Sequence, residues 1–240
     1  MKKTVRVFWR FFFFGFAAFI TLVLLAMFGV FGRMPSLTEL ENPSILQASE
    51  VYAEDGTLMG KYYTERGNRS NVKYRDISAH VVDALIATED ERFYKHSGID
   101  FKSTLRAVVS AGQQGGGSTI TQQLAKALLD QGSSNKAWRV IEKLKEWIIA
   151  IKLEKNFTKE EIITLYLNAV PFGNNIYGIR NASRTFFQKE PDRLNVEESA
   201  LLVGMLKGNT IYNPVRNPKA ALDRRNVVIN QMEVNGKITP

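Results

Sequence analysis

The sequence predicts a mainly α protein: one N-terminal membrane-spanning helix, a short β-hairpin close to it, and a helical body. Three observations carry this. Phe11 to Gly32 is an uncharged, mostly apolar run. An Asp-Gly turn, Asp55-Gly56, lies between two short strand-like segments, 49–53 and 57–64. From Ile77 onward the apolar spacing is helical, with no repeat and no alternating strand series. At 240 residues the chain can bury a substantial core in one or two domains. It has no cysteine, which excludes disulfides and thiolate metal sites.

The apolar run rises about 33 Å as a helix, enough for a hydrocarbon core of about 30 Å. Lys2, Lys3, Arg6 and Arg10 precede it. The positive-inside rule therefore puts the N-terminus in the cytoplasm and the body outside, with 11–32 as an uncleaved signal anchor. Those four charges leave 8 − 4 = +4 on residues 33–240. A mildly basic body suits an anionic ligand or a membrane surface. No nucleic-acid-binding signature accompanies it. Residues 33–50 read as a linker with two prolines, and 65–75 as a polar loop. The expected organisation is a tail (1–10), an anchor (11–32), linker and hairpin (33–75) and a body (76–240).

Ile77–Tyr94 reads as an amphipathic helix with Val81, Val82, Leu85 and Ile86 on its apolar face. Glu89 and Asp90 fall near its C-terminal end, where the helix dipole disfavours a carboxylate. An acidic pair is usually a solvated turn, but one placed here also suits a general base. His80 and His96 are the only histidines, so His96 fits a structural or substrate-orienting role better than metal ligation. A glycine run then opens a helix, GGGSTITQQLAK over 115–126. Thr119 and Gln122 have capping-box spacing. Backbone N–H groups at such a helix start can hold a phosphate. A base beside a phosphate cradle points to group transfer from a phosphorylated donor.

Further along, Arg139, Lys143 and Glu146 share a helical face. Thr158 to Glu161 is a second capping box. Gly173-Asn174-Asn175 marks a tight loop after a helix in which Tyr166 and Asn168 fit structural roles as well as ligand-facing ones. Glu197–Leu206 fits a buried helix, and Arg224 and Arg225 lie on a last one. Ser133 and Lys136 have Ser-x-x-Lys spacing, but no Lys-Thr-Gly follows, so we read this as chance.

The segments ATEDERFYKHSGID (87–100) and GGGSTITQQLAK resemble the first two motifs of the peptidoglycan glycosyltransferase family. That family comprises the polymerase modules of class A penicillin-binding proteins and the monofunctional transglycosylases. Glu142 to Glu146 resembles the third motif, with Lys143 and Glu146 in place and Glu142 standing where the family has arginine. LYLN with the aromatic turn after it, and Asp223 to Asn226, resemble the fourth and fifth. The resemblance implies a bilobal, lysozyme-like helical fold with a membrane-embedded lower lobe.

It also implies a reaction: lipid II units, or a growing glycan chain, joined by β-1,4 bonds with release of undecaprenyl pyrophosphate. Glu89 is then the base and Glu146 the second catalytic carboxylate. Asp90, Ser118, Thr119, Gln122, Gln123, Lys126, Arg139 and Lys143 become substrate-binding candidates, with Arg139 expected to replace the displaced cation. No resident metal is expected, although Glu146 leaves room for a divalent cation, Mg or Mn. The implied partners are lipid II, the glycan chain, the bilayer of the bacterial cytoplasmic membrane and other cell-wall synthesis proteins, with no nucleic acid. A transpeptidase domain is expected to follow Pro240. The competing readings are a lytic enzyme of the same fold and a non-catalytic membrane-anchored scaffold. A lytic enzyme needs an acid for the leaving sugar oxygen and no phosphate cradle.

Overall fold

The computed structural model describes residues 2–36, 39–40, 49–62, 70–110, 116–129 and 135–239. The chain is mainly α with one hairpin, as the periodicity predicts. Helix α1 runs Lys2–Met27, and its stretch from Lys3 is long and apolar enough to cross a membrane. It starts nine residues before the expected span, because lysine and arginine are good helix formers and the winding continues through them. It also stops five residues early: Gly29 and Gly32 adopt φ of 77° and 102°, a left-handed backbone that breaks the helix.

Strands β1 (Ser49–Tyr52) and β2 (Leu58–Tyr62) pair antiparallel, with Ser49 opposite Tyr62 and a register shift at Val51/Tyr52. Gly56 supplies the φ of 82° at the turn, and the Thr57 amide donates to Asp55 Oδ1 at 2.9 Å. The end of the expected second strand, Thr64, lies outside the described residues, as do much of the 33–50 linker, 65–69 of the expected loop and Ser133. Tyr74–Asp76 forms a short 3-10 turn where loop was expected.

The body holds α2 (Ala79–Glu89), α3 (Phe101–Val109), α4 (Ile120–Leu129), α5 (Lys136–Asn156), α6 (Lys159–Ala169), α7 (Ile179–Phe187), α8 (Val196–Leu206) and α9 (Pro218–Val234). Caps explain several starts. Thr158 and Glu161 form a reciprocal capping box on α6, and Asn195 with Glu198 forms another on α8. The expected helix over 77–94 is shorter, because Asp90 leaves helical geometry and Phe93–Lys95 makes a separate 3-10 turn. The tight loop is present: Gly173, Asn174 and Asn175 all have positive φ.

Helix α9 packs on α8 and α2, while α4 packs on α5 and α6. One apolar core joins these groups, with Val81, Leu85, Ile149, Leu153, Ile162, Leu202, Met205 and Val228 inside. Each such side chain contributes roughly 1.5–3 kcal/mol by burial. Asn168 ties the body to the chain before α2, donating to the Val72 carbonyl and accepting from its amide, both at 3.0 Å. The stretch after α1 lies along α5: Lys145 donates to the Phe31 carbonyl at 3.2 Å and Lys152 to that of Pro35 at 3.1 Å. Phe31 also meets Trp138 edge to face.

Candidate active site

Glu89 is the last residue of α2 and is half-buried. Its Oε2 accepts from Gln123 Nε2, in the first turns of α4, at 2.9 Å. Gln123 Oε1 in turn accepts from the Tyr166 hydroxyl of α6, also at 2.9 Å. Burial first, and the charge of Glu89 second, push the Tyr166 hydroxyl well above its ordinary pKa, so it stays protonated.

Asp90 is buried. Both its oxygens lie 3.0 Å from His96 Nε2, and Oδ2 accepts from the Ile120 amide at 3.1 Å. Asp90 therefore joins the end of α2 to the start of α4, the favourable end of that helix for a carboxylate. His96 is committed to this junction.

Thr119 caps α4, accepting from the Gln122 amide at 3.1 Å, and donates its hydroxyl to the Gly98 carbonyl at 2.7 Å. The Gln122 side chain, fully buried, donates to the same carbonyl at 3.3 Å. It does not complete the expected reciprocal capping box. The N–H groups of Ile120, Gln122 and Gln123 at this helix start are thus taken by Asp90 and by Thr119. A phosphate here would meet side-chain cations more than the helix start. Gly117 packs on α3, where a Cβ would come 3.0 Å from that of Ala107.

Those cations lie on α5 and α4. Lys143 donates to Ser118 Oγ at 2.8 Å and to Glu146 Oε2 at 2.7 Å, and Glu146 is buried. Ser118 thereby places Lys143 beside the segment that carries Gln123. Lys126 is exposed and pairs with no described residue. Arg139 is also exposed, at the start of α5, and makes no ion pair among the described residues. Glu142 is buried, and its charge acts on Lys145. Burial lowers the Lys145 pKa, and Glu142 partly offsets this. The carboxylate that replaces the motif's arginine is therefore buried, close enough for its charge to be felt at Lys145.

A divalent cation does not fit the residues as placed. Glu89 is bound by Gln123 and Glu146 by Lys143, and no trio of His, Asp or Glu side chains converges among the described residues. A second polar cluster supports α4 from behind. Glu154 accepts from the Thr121 hydroxyl at 2.6 Å and from Lys159 at 2.9 Å. Lys159 also donates to the His96 carbonyl at 2.8 Å and lies 4.2 Å from the Phe93 ring centroid. Thr121, Glu154, Lys159 and Gly98 escaped the sequence reading. Only Gly98, in the polar turn that ends the first motif, carried a local signal.

A half-buried carboxylate held by an amide, and a lysine clamped at the same glycine-led helix start, thus sit together on a helical body. The chain belongs to the transglycosylase family, whose profile matches residues 55–233. It is 41% identical over 186 residues to penicillin-binding protein 2a of Streptococcus pneumoniae, covering 77% of this chain and 24% of that protein. It is 39% identical over 217 residues to penicillin-binding protein 1A of Aquifex aeolicus, covering 86% of this chain and 29% of that protein. A solved structure, penicillin-binding protein 1A of Haemophilus influenzae, aligns at a TM-score of 0.45 and 23% identity over 81% of this chain and 19% of that one. The chain spans roughly a quarter of the length of these curated relatives.

Proposed function

We propose that this chain is a peptidoglycan glycosyltransferase module that polymerises lipid II into β-1,4-linked glycan strands. Glu89 takes the proton of the acceptor sugar's 4-hydroxyl. The freed oxygen forms a bond to the donor's anomeric carbon from the face opposite the leaving group, inverting that centre. The bond to the pyrophosphate oxygen breaks, and undecaprenyl pyrophosphate leaves with the electron pair. Lys143 stabilises that developing charge, because it is already fixed by Ser118 and Glu146 and needs little reorganisation. Glu146 positions Lys143. Lys126 and Arg139, which make no ion pair among the described residues, are cations that the remaining phosphate charge can draw on.

The observation that carries this reading is the hydrogen bond from Gln123 to Glu89, which brings the candidate base to the cation-bearing second motif. Helix α1 holds the body at the outer face of the cytoplasmic membrane, where a lipid-linked substrate is confined and encounters are more frequent. Glu89→Gln keeps the shape and removes proton acceptance. It is expected to reduce polymerisation by about 10²-fold or more while lipid II binding persists. Polymerisation of lipid II at the wild-type rate by this variant would show that Glu89 is not the base.

A further inference from the structure

We propose that Tyr166 is a positioning residue for the reaction, acting on Glu89 through Gln123; this rests on the reading of Glu89 as the base. The chain of contacts runs from the Tyr166 hydroxyl to Gln123 Oε1 and from Gln123 Nε2 to Glu89 Oε2, each link 2.9 Å. It crosses three helices: α6 supplies the hydroxyl, α4 the amide and α2 the carboxylate.

The chemistry fixes the direction of this relay. An ionised carboxylate only accepts, so the amide must turn its NH2 towards Glu89. That leaves the amide oxygen facing Tyr166, where a donor is required. Tyr166 is 1% exposed, and no described side chain other than Gln123 bonds its hydroxyl. Its position is set by the body's core, which also holds its helix neighbours Ile162, Ile163 and Leu167. Gln123 is less buried than Tyr166, and its terminal amide is free to rotate where nothing holds it. Without the hydroxyl, the amide loses the contact that selects one of its two flips. In the wrong flip an oxygen faces the Glu89 carboxylate and repels it from its place beside the acceptor hydroxyl.

This role acts on the reacting geometry and not on binding, so it predicts a change in kcat with KM retained. The test is a double-mutant cycle on the full chain with lipid II as substrate, alongside Glu89→Gln. Tyr166→Phe removes one oxygen from the interior and keeps the ring. We expect it to lower kcat about tenfold with KM changed less than about twofold. Gln123→Ala is expected to lose at least as much. The double variant should then be no worse than Gln123→Ala alone, because the hydroxyl has nothing left to act through. Losses that multiply in the double variant, or wild-type kcat in Tyr166→Phe, overturn the proposal.

Side-chain amide NMR of glutamine-labelled chain gives a second measurement without turnover. Tyr166→Phe should shift the Gln123 amide signals and leave the Gln122 signals in place, and unchanged Gln123 signals overturn the proposal. The Glu89→Gln arm separates the two failures. If that variant polymerises normally, the base assignment falls. If it is inactive while Tyr166→Phe is fully active, only the relay falls.

Discussion

Asp100 shows how much one side chain does outside the site. Its carboxylate caps α3, accepting from the amides of Lys102 and Ser103 at 3.0 and 3.3 Å and from the Ser103 hydroxyl at 2.7 Å. Burial works to raise its pKa. The Ser103 hydroxyl and amide, the Arg92 charge and the Lys102 amide outweigh burial and hold it below the ordinary carboxylate value. A carboxyl with a lower pKa folded than unfolded stabilises the fold above its unfolded pKa, about 3.9. That stabilisation is lost as the pH falls through the folded value. Asp100→Asn keeps a capping oxygen but removes the charge at the helix start and beside Arg92, so it should cost about 1 kcal/mol at neutral pH. The gap between variant and wild type should close below about pH 4, and urea denaturation at pH 7 and at pH 3 checks both halves. Individual residues were unevenly legible in the sequence. Glu89 and Lys143 stood out because motif spacing marks them. The Tyr166 hydroxyl did not, because its partner is 43 positions away and only the packing of α6 on α4 brings them together. Arg139 was legible as a cation on the right face, yet nothing in helical periodicity tells whether that face is covered at its first turn.

Among the elements, the turn between α2 and α3 does more than its length suggests. Gly98 has a φ of 86°, and a Cβ there would lie 2.9 Å from the carbonyl carbon and oxygen of Ala150 in α5. Its own carbonyl receives Thr119 and Gln122 of the second motif. One residue thus seats the α2–α3 turn on α5 and fastens the start of α4. Gly98→Ala should destabilise the fold by about 3 kcal/mol, from a strained backbone and a contact with rigid main chain. Chemical denaturation measures it, and a loss below about 0.5 kcal/mol would mean the turn moves freely off α5. Helices were read well where the apolar face was long, as at α8, and best where a cap agreed with it, as at α6. The boundaries of α1 and α2 were read less well. Basic residues that flank a membrane segment can still be helical, and an aspartate engaged by a distant helix start can end a helix that periodicity would continue.

At the scale of the whole molecule, a single core carries both the helix that ends in Glu89, the proposed base, and the helices that bear Lys126 and Lys143. The mainly α class and the hairpin followed from pattern alone, since periods of 2 and 3.6 residues separate strand from helix. How the N-terminal helix meets the body did not follow, because the contacts are made by main-chain carbonyls, which carry no residue signature. Those contacts have a mechanical meaning. Lys145 and Lys152 stand two turns apart on α5, about 10 Å at 1.5 Å per residue, and grip carbonyls four residues apart in the chain leaving α1. The segment between Met27 and Phe31, closed by main-chain bonds from Phe28, Gly29 and Val30 back to α1, is then a strut of fixed length, and with α1 in a bilayer it would set the depth of Lys143 on α5. Three glycines inserted after Met27 should slacken the strut and lower turnover of bilayer-embedded lipid II, while a soluble analogue with a shortened lipid is used as before. The same insertion after Pro35, beyond the grip, should change neither rate.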